Sequence, residues 1–478
     1  MTPDTTSDQK LSLKALIALV IGSMIGAGIF ALPSTFARTT GGFGAIVAWV
    51  ISGAGMLMLA FVFQALAQRR PDLDAGIFAY AKAGFGRYLG FISAIGYWMG
   101  ACFADTACLI LIKSTLGVYF PVFGDGTTVV AILSASFLVW AVHFLVLRGV
   151  KSAATLNTIA TYAKMIPIGL FLLVIITGFR ADIFALNFWG GEIPGLGTLA
   201  GQVRATLMLT VFVFVGLEGA SVYSRYAKRR EDVGIATVLG FLGVLCLLVL
   251  VTMLSFGVLL RPDLAALAEP SMAGIMNYLI GPWGGLLVSI GLLISVLGNY
   301  LSWCLLSAEV MHVAAQDGTL PSYLGRSNRA GAPAAALWFS NAVIQLFLII
   351  SWFAEEAFIM ALKMTSAMVL IPYLLVAGYG LLLAWTGQTY EAGEKSRRSD
   401  LIRSLVATLY IALIIIVGGS KYVVLSTLLY LPATILFFHA MREQKIQVFS
   451  RIELLLFGLV IVGAIAGGFG LATGAITL

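Results

Sequence analysis

A chain of 478 residues that is 60% hydrophobic and only 11% charged is too apolar for two or three soluble domains, which carry roughly 25% charged residues. The formal net charge of +7 does not require a nucleic-acid partner, because the basic residues gather in short links between apolar stretches. About thirteen such stretches approach the ~20 residues that cross a bilayer as helix, which predicts an all-α polytopic membrane protein.

A polar tail, 1–12, precedes the first predicted span, 13–37, which is interrupted at GSMIGAGIF (residues 22–30) by Gly22, Gly26 and Gly28. A helix in lipid must bond its own backbone groups, so glycines clustered at mid-membrane point to a helix unwound beside a protein cavity. Close helix packing through GxxxG is the alternative, and Gly22 and Gly26 have that spacing. Spans follow at 43–67 and 86–116, and the link between them holds AGIFAYAKAGFG (75–86), which reads as an interfacial helix. Spans at 128–147 and 154–178 lead to a sixth at 203–225, where FVFVGLEGAS (212–221) repeats the interruption around Gly216 and adds Glu218. Matching interruptions in two halves point to a transporter's binding site. The remaining spans are expected at 235–260, 282–312, 334–353, 357–385, 401–419, 421–440 and 452–473. A charged link, 386–400, sets the last three apart.

Ionisable residues at membrane depth are expensive, and each is a functional-site hypothesis. Asp105 lies seven residues after Trp98, on nearly the same helix face, and would pair with a substrate cation, with a neighbouring helix or with Lys164. Lys164 is about ten residues into its span, too deep to snorkel easily. Glu218, inside the second break, is placed to gain and lose a proton or to cap broken backbone. Glu309 lies nearer a span end and suits a gate or loop ion pair.

With the N-terminus inside, the links expected in the cytoplasm hold Arg69, Arg70, Lys82, Arg87, Lys228, Arg229, Arg326, Arg397 and Arg398, and the opposite links hold few basic residues. His143, His312 and His439 show no metal-ligand spacing, and Cys102, Cys108, Cys246 and Cys304 read as packing residues. Neither a metal nor a cofactor is expected, and no P-loop suggests ATP as the energy source. A channel would carry a continuous polar stripe, which these few mid-depth charges do not form.

GSMIGAGIFALP (22–33), GFGRYLGFISAIGYW (84–98), FVFVGLEGASV (212–222) and SWCLLSAEVMHVAAQDG (302–318) resemble amino-acid/polyamine/organocation (APC) transporters over nearly the whole chain, and within them the basic amino-acid/polyamine antiporters. The resemblance implies a LeuT-like five-plus-five inverted repeat with about 12–13 helices, the first and sixth broken. One repeat would span 13–178 and the other 203–385, with additional helices over 401–478. It implies exchange of cationic amino acids, arginine for ornithine first, at a bacterial inner membrane. Arginine:agmatine or lysine:cadaverine exchange and proton-coupled symport are the alternatives; a channel or a non-transporting sensor would be different classes. Relatives are often dimers, so a homodimer is an implied partner.

In such a site the α-carboxylate would meet the start of the outer half-helix, around Ser23, Gly26, Ala27 and Gly28, and the α-ammonium the carbonyls ending near Gly216. The resemblance places Tyr97, Phe212 and Trp303 at gate and substrate-stacking positions, with Thr365 and Ser366 as weaker polar contacts. Asp105 stands where these exchangers usually have an asparagine, and Phe212 where arginine:agmatine exchangers commonly have tryptophan. Glu218 matches a glutamate linked to pH sensing or gating. Lys164 matches a lysine that takes the place of a sodium ion and tethers the first helix to the fifth.

Overall fold

The computed structural model describes residues 12–73, 76–148, 150–190, 196–218, 228–354, 356–417 and 420–476, and among them every regular element is helical. The first span is split into α1 (Leu13–Met24) and α2 (Gly28–Thr39), which meet at 44°. Next come α3 (Gly42–Arg69), α4 (Ile77–Phe85) and α5 (Arg87–Gly117). α6 (Val129–Leu147) begins at Thr128, whose side chain accepts from the Ala131 N–H and so satisfies one donor of the open first turn. α7 (Val150–Gly178) turns through 98° into α8 (Ala181–Asn187). α9 (Leu199–Phe214) then gives way to a turn at 215–218.

The second half begins with α10 (Arg230–Ser255), followed by the short α11 (Arg261–Ala266) and α12 (Ser271–Ile280). The 35-residue α13 (Pro282–Gln316) starts with Pro282, whose missing N–H is no loss in a first turn. α14 (Ala334–Ser351) and α15 (Ala357–Thr386) come next, and Gly387, with φ of 76°, ends α15 in the left-handed conformation. α16 (Ser396–Val417), α17 (Ser420–Glu443) and α18 (Arg451–Ala472) complete the chain.

Among the described residues ten helices are long and apolar enough to cross a membrane, or twelve if the bent pairs α1–α2 and α7–α8 each count as one span. The shorter apolar α9 accounts for the sixth expected span as far as residue 218. α5 lies at the centre, buried along its length between α13 and α15. Small residues let it approach: a Cβ on Gly96 would lie 2.8 Å from the Met368 carbonyl, and one on Gly100 2.6 Å from the Val369 side chain.

The last three helices are fastened to this core. A Cβ on Gly55 would lie 2.1 Å from the Tyr410 ring, so α16 lies directly on α3. Arg69, at the end of α3, binds Glu394 at 2.7 Å and Asp400 at 3.3 Å while its guanidinium lies 3.5 Å from the Tyr390 ring centroid. α18 is the outermost helix, and Ser450 and Glu453 form a capping box at its start. Glu453 also accepts the Tyr88 N–H of α5 at 3.0 Å.

Three local expectations change. The helix expected over 75–86 is α4, and its Ile77, Phe78, Tyr80 and Ala81 are buried, with Tyr80 stacked on Tyr379. It packs on α5 and α15 at the end of the bundle. The link 386–400 is already helical from Ser396. The seventh span runs from Arg230 to Ser255 rather than over 235–260, because a tight turn follows in which Gly257 meets the Phe179 ring. The helices α8, α11 and α12 were not expected from sequence; all three lie at the end of the molecule away from the basic links.

Candidate functional site

The two interruptions meet. Ser23, at the end of α1, donates its hydroxyl to the Gly216 carbonyl at 2.8 Å. Gly216 has φ of 105°, and a Cβ there would lie 2.7 Å from the Ser23 carbonyl oxygen. A Cβ on Gly28 would lie 2.7 Å from Val213 and 2.8 Å from the Phe212 ring, and one on Gly26 2.6 Å from the Asn299 amide. Gly26 and Gly28 are therefore set by close approach, and Gly216 by close approach and backbone angle together. Ala27 precedes α2 with no side-chain cap, so the first N–H groups of α2 have no carbonyl of their own helix to bond. α9 stops at Phe214, and Val215 turns extended with ψ of 132°. The continuation of the second break, Gly219 to Ser221, lies outside the described residues.

Lys164 closes on the first break from α7. Its Nζ donates to the Gly22 carbonyl and, at 2.9 Å, to that of Ile25, and the side chain is buried. The Gly22 carbonyl belongs to the last turn of α1, whose acceptors have no intrahelical partner, and the Ile25 carbonyl lies just past the helix end. Cys108 of α5 lies on the other side of the break, against the Ala27 N–H and within 3.5 Å of the Asn299 amide nitrogen.

Glu218 is held between two tyrosines. Tyr97 of α5 donates to one carboxylate oxygen, and Tyr373 of α15 donates to the other at 2.5 Å. A hydroxyl donor on each oxygen ties α5, α15 and the end of α9 together at one point. The Trp303 ring of α13 lies 6.3 Å from the Tyr97 ring and is nearly buried, while Phe212 is half-buried beside Gly28. Tyr373 was not singled out as a functional residue, since a tyrosine in an apolar span has no periodic signature.

Asp105 is fully buried on α5, one turn from Cys108, and neither carboxylate oxygen has a hydrogen-bond partner among the described residues. The Asp105–Lys164 pair does not form, because Lys164 bonds backbone. Thr365 bonds the Ala361 carbonyl of its own helix at 2.9 Å, and Ser366 bonds the Met208 carbonyl of α9 at 2.8 Å. Glu309 is half-buried in α13. His143 meets Asn341 at 2.9 Å and His312 meets Gln316 at 2.9 Å, and no cluster that could hold a metal ion occurs among the described residues.

Each end of the bundle carries its own contacts. At the basic end, Lys82 of α4 binds Asp317 at 2.5 Å, just beyond α13. At the other end a cavity of about 590 Å³ is bordered by Arg38, Asp125, Glu269 and Glu356. There Glu269 accepts from Ser34 of α2 at 2.5 Å and from the Ser271 N–H at 3.1 Å. Burial pushes the Glu269 carboxyl up to about 7, against the opposing pull of Ser34, Ser271 and Arg38.

Residues 11–438 match the amino acid permease family. The chain belongs to that family. This permease is 48% identical to the arginine/ornithine antiporter of Pseudomonas aeruginosa over 478 residues, 99% of either protein. It is 40% identical to the L-lysine transport protein of Corynebacterium glutamicum, over 99% of its own length and 97% of the relative's. It is 36% identical to the arginine/agmatine antiporter of Chlamydia pneumoniae, over 90% of each. The permease is thus a polytopic membrane protein of a transporter family.

Proposed function

We propose that this permease exchanges arginine for ornithine across a bacterial inner membrane by alternating access, with its basic end in the cytoplasm. The carrying observation is Asp105: a fully buried carboxylate, unpaired among the described residues, one turn from the residue that touches the first helix break. Such a group calls for a cation, and a free cationic amino acid brings one at the right end. Its α-carboxylate lies at the open start of α2 and its α-ammonium near the end of α9, with Trp303 and Phe212 beside the aliphatic stem. The repeats over 13–178 and 203–385 reorient about this site, Lys164 holds α1 to α7 in place of a bound ion, and Glu218 and its tyrosines form the gate. The named exchangers among the relatives support the same reading.

Counterflow tests it. Purified permease in vesicles loaded with ornithine should take up external arginine quickly, with little response to membrane potential, since each substrate carries one net positive charge. Empty vesicles should take it up slowly. Rapid, proton-driven uptake into empty vesicles refutes exchange in favour of symport. Lysine against ornithine is the decisive second arm, because a relative at 40% identity is named for lysine transport.

A further inference from the structure

We propose that Tyr300 of α13, supported by Asn299, completes the pocket for the substrate's distal group and makes it favour a guanidinium over an ammonium. The proposal rests on the cationic-substrate reading above and adds the residue that would discriminate among such substrates. Four acceptor atoms in this region lack a partner among the described residues: Asp105 Oδ1 and Oδ2, Tyr300 Oη and Asn299 Oδ1. Asp105 and Tyr300 are fully buried and Asn299 is 5% exposed, so water does not serve them from the surface. Asp105 acts electrostatically on Cys102, Cys108, Cys304 and Tyr300, and α5 packs along α13, which puts the tyrosine near Asp105 at that helix contact. The three thiols are weak hydrogen-bonding groups and compete little for a ligand's donors. Asn299 turns its amide nitrogen toward Cys108, leaving its oxygen as the free acceptor.

Buried acceptors without donors are costly, and a ligand that supplies donors relieves them. A guanidinium brings five N–H groups in a planar fork, an ammonium three on one atom. Two guanidinium donors pair with the Asp105 carboxylate, and the outward N–H groups then need further acceptors, which Tyr300 and Asn299 supply. An ammonium is largely satisfied by Asp105 alone. A tyrosine that merely fills space would show no such preference, and removing its unpaired hydroxyl would leave both substrates alike.

Calorimetric titration of full-length permease with arginine and ornithine, before and after Tyr300→Phe, tests this. The substitution keeps the ring, and the loss of one charged hydrogen bond predicts roughly ten-fold weaker arginine binding, with ornithine changed by no more than about two-fold. Equal shifts for the two, or none, overturn the proposal while leaving the cationic-substrate reading intact. A parent protein that binds neither substrate overturns that reading and this one with it. Should the variant not fold, dimethylated arginine on the parent decides: it keeps the charge but loses terminal N–H donors. Binding more than about ten-fold weaker than arginine is expected, and equal binding overturns the proposal.

Discussion

Replacing Lys164 by methionine keeps most of the length of the side chain and removes its donor. The Gly22 carbonyl, in the last turn of α1, and the Ile25 carbonyl, just past it, then lose their partner. Leaving a buried acceptor unmade costs ~1–3 kcal/mol, so two carry ~2–6 kcal/mol between them. Water entering the vacated space recovers part of this, which leaves a net ~2–3 kcal/mol against the arrangement in which α7 is bonded to the end of α1. At 1.4 kcal/mol per decade the balance between conformations moves by ~30- to 150-fold. Nothing in that argument touches the pocket around Asp105. Arginine should therefore bind Lys164→Met with an affinity close to that of the parent by calorimetry, while arginine:ornithine exchange in vesicles falls by at least ten-fold. Normal exchange by fully inserted Lys164→Met would refute the tether. Affinity falling in step with exchange would also refute it, since the lysine would then belong to the binding site.

Asp105→Asn should weaken arginine and ornithine by about thirty-fold or more, because losing one partner of a buried charge pair costs ~2–5 kcal/mol; unchanged affinity by calorimetry would retire Asp105 as the cation partner. Gly216→Ala should lower thermal stability and exchange well beyond Gly331→Ala: both glycines have positive φ, but only Gly216 would drive a Cβ into the Ser23 carbonyl. Equal destabilisation of the two would show that backbone angle alone matters. Glu269→Gln should flatten the pH dependence of thermal stability. A carboxyl raised to about 7 in the folded chain contributes stability that is fully present below the unfolded value of ~4.3 and lost as pH rises through about 7. The parent should thus lose stability across that window, beside Arg38, Asp125 and Glu356, more than the variant does; parallel profiles would remove Glu269 as the cause.

The helix breaks were legible because glycine leaves a mark in an apolar run: α1 stops just before Gly26, and α9 stops two residues before Gly216. Lys164, Asp105 and Glu218 stood out as candidates because a charge at membrane depth is expensive. What each of them touches was not. Tyr97 and Tyr373 reach Glu218 across 121 and 155 residues of sequence, and nothing local marks either ring as its partner. Asn299 and Tyr300 stand in a long apolar helix with no motif around them, so only their unpaired buried atoms single them out. Thr365 and Ser366 show the converse: short polar side chains that read as pocket lining bond carbonyls of α15 itself and of α9. The helices α8, α11 and α12 escaped detection because six to ten residues carry too little periodicity to stand out from a loop.

Glu453 reaches back across 365 residues to take the N–H of Tyr88, in the opening turn of α5. During synthesis the helix that carries Asp105 is therefore made long before the group that finishes its first turn. Until α18 has left the ribosome and joined the bilayer, that N–H must be held by water or headgroups at the membrane surface. The opening turn of the central helix is thus finished by α18, so a nascent chain cut short before residue 453 would leave that turn with an unbonded N–H.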